Sequence, residues 1–144
     1  APSGARAPLG AVLCGSTAFI DQAWRWKQRL GGSLRQAGLS AAGCLYALDH
    51  HIDRLSEDHA NAAVLARGLA QIPGIGVEMP ETNLVFFDVR GTGMTADALA
   101  AEARARGVSV SVMGPYRVLA CTHLDVELAG VEMAVQVIRD CMSK

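Results

Sequence analysis

The sequence predicts an α+β sandwich in which helices pack on a small, mostly antiparallel sheet. Two observations carry that prediction. Up to Pro73, apolar residues recur at spacings of three and four, the period of helices. Beyond it, short runs of β-branched and aromatic residues alternate with two further helical stretches. With 51% apolar and 19% charged residues in a chain of 144, there is material for one sizeable core.

Residues 1–10, rich in proline and glycine, read as irregular, and Val12 to Cys14 as a short strand. Thr17 to Leu30 reads as a helix: Ser16 or Thr17 caps it, Asp21 suits its first turn, and Lys27 and Arg29 suit its last. Gly31-Gly32-Ser33 ends it. A second helix runs from Leu34 to Leu48. Its middle, residues 37–45, is small or apolar on nearly every face, so the expectation is burial all round at a subunit or domain interface.

The third helix spans Ile52 to Ile72, with Ile52, Leu55, His59, Ala62, Ala66 and Leu69 on one stripe. Arg54, Glu57, Asp58 and Arg67 fall largely off that stripe, and Pro73-Gly74 stops the helix. Leu84 to Val89 is a strand, with Ile75 to Met79 as a short partner. Thr95 caps a helix to Arg106, and Gly107 closes it. The alternation of Val108 to Val112 predicts a half-buried strand, and Tyr116 to Cys121 another. A last helix starts after Asp125, with Leu128, Val131, Val135, Ile138 and Met142 as its apolar stripe.

A formal net charge of −1 and the lack of any Lys/Arg tract argue against nucleic acid or an anionic membrane as partner. No apolar stretch is long enough to span a bilayer, and the start carries no signal-peptide pattern. Four cysteines without a C-x-x-C pair read as reduced, buried side chains, and the expected location is cytoplasmic. His50, His51 and His59 with Asp49 and Asp53 do not have metal-site spacing, so no metal is expected.

Six stretches, in order, carry a resemblance. They are Ala7-Pro8-Leu9-Gly10, the run from Arg25 to Gly38 with Gly31-Gly32-Ser33 at its centre, Leu45-Tyr46-Ala47-Leu48, Arg54 to Ala62, Glu81 to Phe86, and Thr122 to Val126. Together they resemble low-specificity L-threonine aldolases, from about Ala7 to the C-terminus. The resemblance implies the aspartate-aminotransferase-like fold (fold type I) of pyridoxal-phosphate (PLP) enzymes. Residues 1–33 would be the end of the large domain and a linker helix, and 34–144 the C-terminal small domain. It further implies PLP-dependent retro-aldol cleavage of L-threonine, L-allo-threonine and related β-hydroxy-α-amino acids to glycine and an aldehyde, by a homo-oligomer (dimer or tetramer).

The resemblance also nominates site residues. Arg35 opens the second helix after a flexible Gly-Gly turn, where backbone N–H groups favour anions; it stands for substrate binding or, alternatively, for an interface salt bridge. Arg117 is the other substrate-binding candidate, because a guanidinium holds a carboxylate with two parallel bonds. Aligned on Thr122-His123-Leu124-Asp125, the family's arginine falls at Leu119, but on a strand positions 117 and 119 share a face. The alternative for Arg117 is a surface arginine. His123 is a possible proton-transfer group, with Asp125 as the cap of the last helix. Gln28 occupies a place where many relatives carry lysine.

The Schiff-base lysine of the family aligns with Ser3, which forms no imine. The only lysines are Lys27 and Lys144. No residue is therefore assigned as catalytic, and the chain alone is expected neither to bind PLP productively nor to be active. Three readings follow: part of an aldolase whose catalysis resides in a fuller polypeptide, a non-catalytic relative or subunit-binding domain that binds amino-acid carboxylates, or a free-standing interaction domain.

Overall fold

Three helices and a four-stranded antiparallel sheet make up the second of two units into which contacts gather the chain, Ala1–Ile52 and Asp53–Lys144. The structure is a computed structural model and describes residues 12–143.

The first unit holds α1 (Thr17–Arg29) and α2 (Ala37–His50). Ser16 is the N-cap of α1, its hydroxyl accepting from the Phe19 N–H at 3.4 Å, and Lys27 and Arg29 occupy the last turn; Asp21 lies beyond the first turn. Val12 to Cys14 forms no strand. The start of α2 differs from the sequence expectation. Gln36, its N-cap, has φ 52°, a left-handed conformation that breaks helical continuity with Leu34 and Arg35. Arg35 thus lies in the turn before the helix rather than in it. Burial differs too: only Ala47 of α2 is buried, while Leu39, Leu45, Tyr46 and Leu48 are exposed.

The second unit contains α3 (Leu55–Ala70), β1 (Gly76–Val77), β2 (Leu84–Asp88), α4 (Ala96–Ala105), β3 (Ser111–Val112), β4 (Arg117–Cys121) and α5 (Leu128–Met142). A 3₁₀ turn, Arg90–Thr92, joins β2 to α4. The strand order is β1-β2-β4-β3, every pair antiparallel. Val85 and Phe87 of β2 and Val118 and Ala120 of β4 are buried against the helices. They join Leu69, Leu99, Val131 and Ile138 in one core. The alternate residues, Leu84, Phe86, Arg117 and Leu119, occupy the opposite face.

Both edge strands are shorter than the sequence reading. Pro80 has no N–H to extend β1. At β3 the cause is the end of α4. Gly107, at φ 86°, donates its N–H to Arg104 O, and Val108 donates to Ala103 O, a Schellman closure. Val108 thereby spends its donor on the helix. Thr95 caps the other end of α4, its Oγ1 accepting from the Ala98 N–H at 3.3 Å. Thr95→Ala is expected to cost about 1 kcal/mol, read as a lower urea midpoint with unchanged slope.

The stripe of α3 holds at Ala62, Ala66 and Leu69 and differs at its start. Asp58, Ala62, Leu65, Ala66 and Leu69 are buried, whereas His59 is exposed. The carboxylate goes inside because Arg54 follows it, bonding Asp58 at 3.0 and 3.3 Å. α5 begins at Glu127, an N-cap without a side-chain bond, so Asp125 is not its cap. Of the cysteines only Cys141 is buried; Cys14 and Cys121 are exposed. Among the described residues no helix is long and apolar enough to cross a membrane.

Candidate functional site

The nominated residues divide between the units. In the first, Arg35 is exposed in the turn before α2, and Gln28 is exposed in the last turn of α1. Beside Gln28, the Lys27 ammonium lies over the Trp24 ring at 4.6 Å, and Arg29 lies over Trp26 at 5.4 Å. Both cations are thus held along α1 by aromatic faces. Ser3, at the Schiff-base position, falls outside the described residues.

In the second unit, Arg117 and Leu119 do share the sheet face away from the core, as the strand period requires. Leu119 stands opposite Phe86, and Arg117 opposite Asp88. The Arg117 guanidinium lies 5.0 Å from the centre of the Phe86 ring, and its Nη2 meets Glu78 Oε1 at 2.8 Å. Both partners are about half exposed or more (51% and 67%), so the pair contributes little to stability. What the arrangement offers is a guanidinium backed by an aromatic ring and already engaging a carboxylate.

At the opposite end of β4 sits the turn with His123. Its Nδ1 accepts the Asp125 N–H at 3.3 Å and lies 3.6 Å from Asp125 Oδ2. Separate segments hold this turn. The Thr122 hydroxyl, 1% exposed, donates to Asp58 O at 2.6 Å. Asn83 Nδ2 donates to Thr122 O at 2.8 Å, and the Thr122 N–H returns a bond to Asn83 O at 3.0 Å. Asn61 Nδ2 donates to Val126 O at 3.0 Å, and the Val126 N–H closes the turn onto His123 O at 2.7 Å. Partial desolvation of the Cys121 sulfur on its inner side, with the Asp58 charge adding to it, pushes this otherwise exposed thiol above its ordinary range.

A cavity of about 450 Å³ opens between Leu65 of α3, residues 107–110 and the first turns of α5. Neither Arg117 nor His123 lines it. Among the described residues no group of His, Cys, Asp and Glu clusters as a metal site would.

Sequence reasoning gave Arg117 its face but missed Glu78, and it missed Asp58 and Thr122 as buried polar partners. The signal for the latter two was in hand: both lie inside motifs of the resemblance, Asp58 in Arg54 to Ala62 and Thr122 before His123.

A family model described as beta-eliminating lyase matches residues 2–92. The chain belongs to the beta-eliminating lyase family. Among similar proteins, low-specificity L-threonine aldolase 1 of Arabidopsis thaliana is 32% identical over 142 residues, covering 96% of this chain. The low specificity L-threonine aldolase of Escherichia coli (strain K12) is 40% identical over 119 residues, covering 83% of this chain. The chain spans 40% and 34% of the lengths of these two relatives. In fold it is similar to a C-DES mutant with glycine covalently linked to the PLP cofactor. The TM-score is 0.58 at 21% identity, over 72% of this chain and 28% of that one. The fold is the α+β arrangement found in the fold-type-I PLP enzymes.

Proposed function

We propose that this beta-eliminating lyase segment is the substrate-carboxylate part of a threonine aldolase. It would act in a polypeptide that also supplies a cofactor domain for cleavage of L-threonine and L-allo-threonine to glycine and an aldehyde. Residues 34–144 would be its small domain, of which Asp53–Lys144 is the compact second unit and α2 belongs to the first. The observation that carries the reading is the placement of Arg117 on one sheet face with Leu119, the position where the aldolase resemblance expects an arginine. Arg117 binds and orients the amino-acid carboxylate, exchanging Glu78 for it. Arg35 and Gln28 are the contribution of the first unit. The exposed apolar side chains of α2 support a homo-oligomer as the working form.

The residues of this chain do not fit PLP by themselves. An imine needs a lysine amine; Ser3 stands in its place, and Lys27, the one lysine among the described residues, is held over Trp24. No step through the cofactor is assigned to this chain.

A chimera tests the proposal. Residues 34–144 replace the corresponding part of the Escherichia coli relative, and threonine cleavage is measured. Arg117→Ala in the chimera raises KM by roughly 10- to 150-fold, the loss of a charged hydrogen-bonded pair worth about 1.5–3 kcal/mol. Leu119→Arg in the same background restores it. An Arg117→Ala chimera that keeps its KM removes the carboxylate role.

A further inference from the structure

Three motifs that the carboxylate reading leaves unused meet at one place. They are the Arg54 to Ala62 stretch, the Glu81-Thr82-Asn83 stretch and the Thr122-His123-Leu124-Asp125 turn. Hydrogen bonds join them across 64 residues (Asp58 to Thr122), 39 residues (Asn83 to Thr122) and 65 residues (Asn61 to Val126). None of these bonds forms a helix ladder, and each ends on the backbone of Thr122 or Val126 or on the Thr122 hydroxyl. All of them grip the two ends of the turn that carries His123.

We propose that Thr122, Asn83 and Asn61 are positioning residues for His123, and that the turn they clamp locks its neutral ring as the Nε2–H tautomer. The clamp keeps the Asp125 N–H pointed at His123 Nδ1. A backbone N–H only donates, so Nδ1 must offer a lone pair, and the ring proton resides on Nε2. One group opposes this outcome. The Asp125 carboxylate, 3.6 Å from the same nitrogen, favours a proton there, but that distance is too long for a hydrogen bond. The balance rests on turn geometry: if either end loosens, the N–H moves off and the ring proton shifts to Nδ1, which then donates to the Asp125 carboxylate.

Locked this way, His123 is a hydrogen-bond donor through Nε2, at the end of β4 away from Arg117. The test of the lock needs neither substrate nor cofactor.

The experiment is nitrogen NMR of the imidazoles in the labelled chain at about pH 8.5, above the ordinary imidazole range. Wild-type His123 shows the proton on Nε2 and an unprotonated Nδ1. In Thr122→Val and in Asn61→Ala the Nδ1 signal moves toward that of a protonated nitrogen, while the signals of His50 and His59 stay in place. Thr122→Ser, which keeps the hydroxyl, restores the wild-type pattern. The idea is overturned if wild-type His123 carries its proton on Nδ1, or if the tautomer is unchanged in folded variants. Should Thr122→Val fail to fold, the wild-type spectrum and Asn61→Ala, at a half-buried position, still decide the question.

Discussion

Asp58→Ala is expected to lower stability by about 3 kcal/mol. Its side chain has no exposure, and its two oxygens hold the Arg54 guanidinium, which is only 18% exposed. Taking away the carboxylate leaves that cation in a place built for an ion pair, with only the exposed Glu57 at 3.4 Å as a substitute. The cost is mainly the stranded charge rather than the lost attraction, which makes a sharper prediction possible. Replacing both partners, Arg54→Met with Asp58→Leu, should recover most of the loss, because two buried charges go together. The contact from Thr122 ends on the Asp58 carbonyl, so it survives the side-chain change. Urea unfolding of the single and double variants is the measurement. A single-variant loss below about 1 kcal/mol, the range of exposed pairs, would mean the site is wetter than the structure describes.

Asp58 also shows where legibility in the sequence stops. The spacing of Ile52, Leu55 and His59 fits a helical stripe as well as the true one does, since both recur every three to four residues. What puts Asp58 rather than His59 inside is the Arg54 partner, a side-chain event that periodicity does not encode. The strong strands were legible because Leu84 to Asp88 and Arg117 to Cys121 are apolar and β-branched enough to pair centrally. The edge strands were overread, because donors near Val108 are drawn to the helix end. For α2 the composition was clear, but burial depends on what surrounds a helix, which its own residues do not state. The candidate site follows the same division. The face of Arg117 follows from the strand period, whereas the Glu78 contact needs the pairing of β1 with β2. Arg35 was placed in a helix because nothing in Gln36 announces a left-handed residue.

Gly74→Ala should cost at least as much, about 3–4 kcal/mol. Gly74 has φ +85°, a conformation that costs an L-residue about 1–2 kcal/mol. An added Cβ would also stand 2.5 Å from Gly91 O and 2.8 Å from the Thr92 nitrogen. These are backbone atoms, which cannot rotate away, so a chain segment has to shift, at about 1–3 kcal/mol for overpacking. The approach is mutual, since a Cβ on Gly91 would lie 2.7 Å from Gly74 O. Gly93 provides the control. It has φ +78° but open space around it, so Gly93→Ala carries the conformational cost alone. Equal losses in the two variants would show that the crossing of the two segments contributes nothing. A larger loss in Gly74→Ala would be the cost of that close approach. The Gly74–Gly91 crossing joins the exit of α3 to the turn after β2. That turn is tied back by Asp88, whose Oδ1 accepts the Arg90 N–H at 2.8 Å. Asp88 in turn stands opposite Arg117. A shift at Gly74 therefore propagates along β2 to the face on which the guanidinium is held, and Gly74→Ala in the chimera should raise KM even where the chain remains folded.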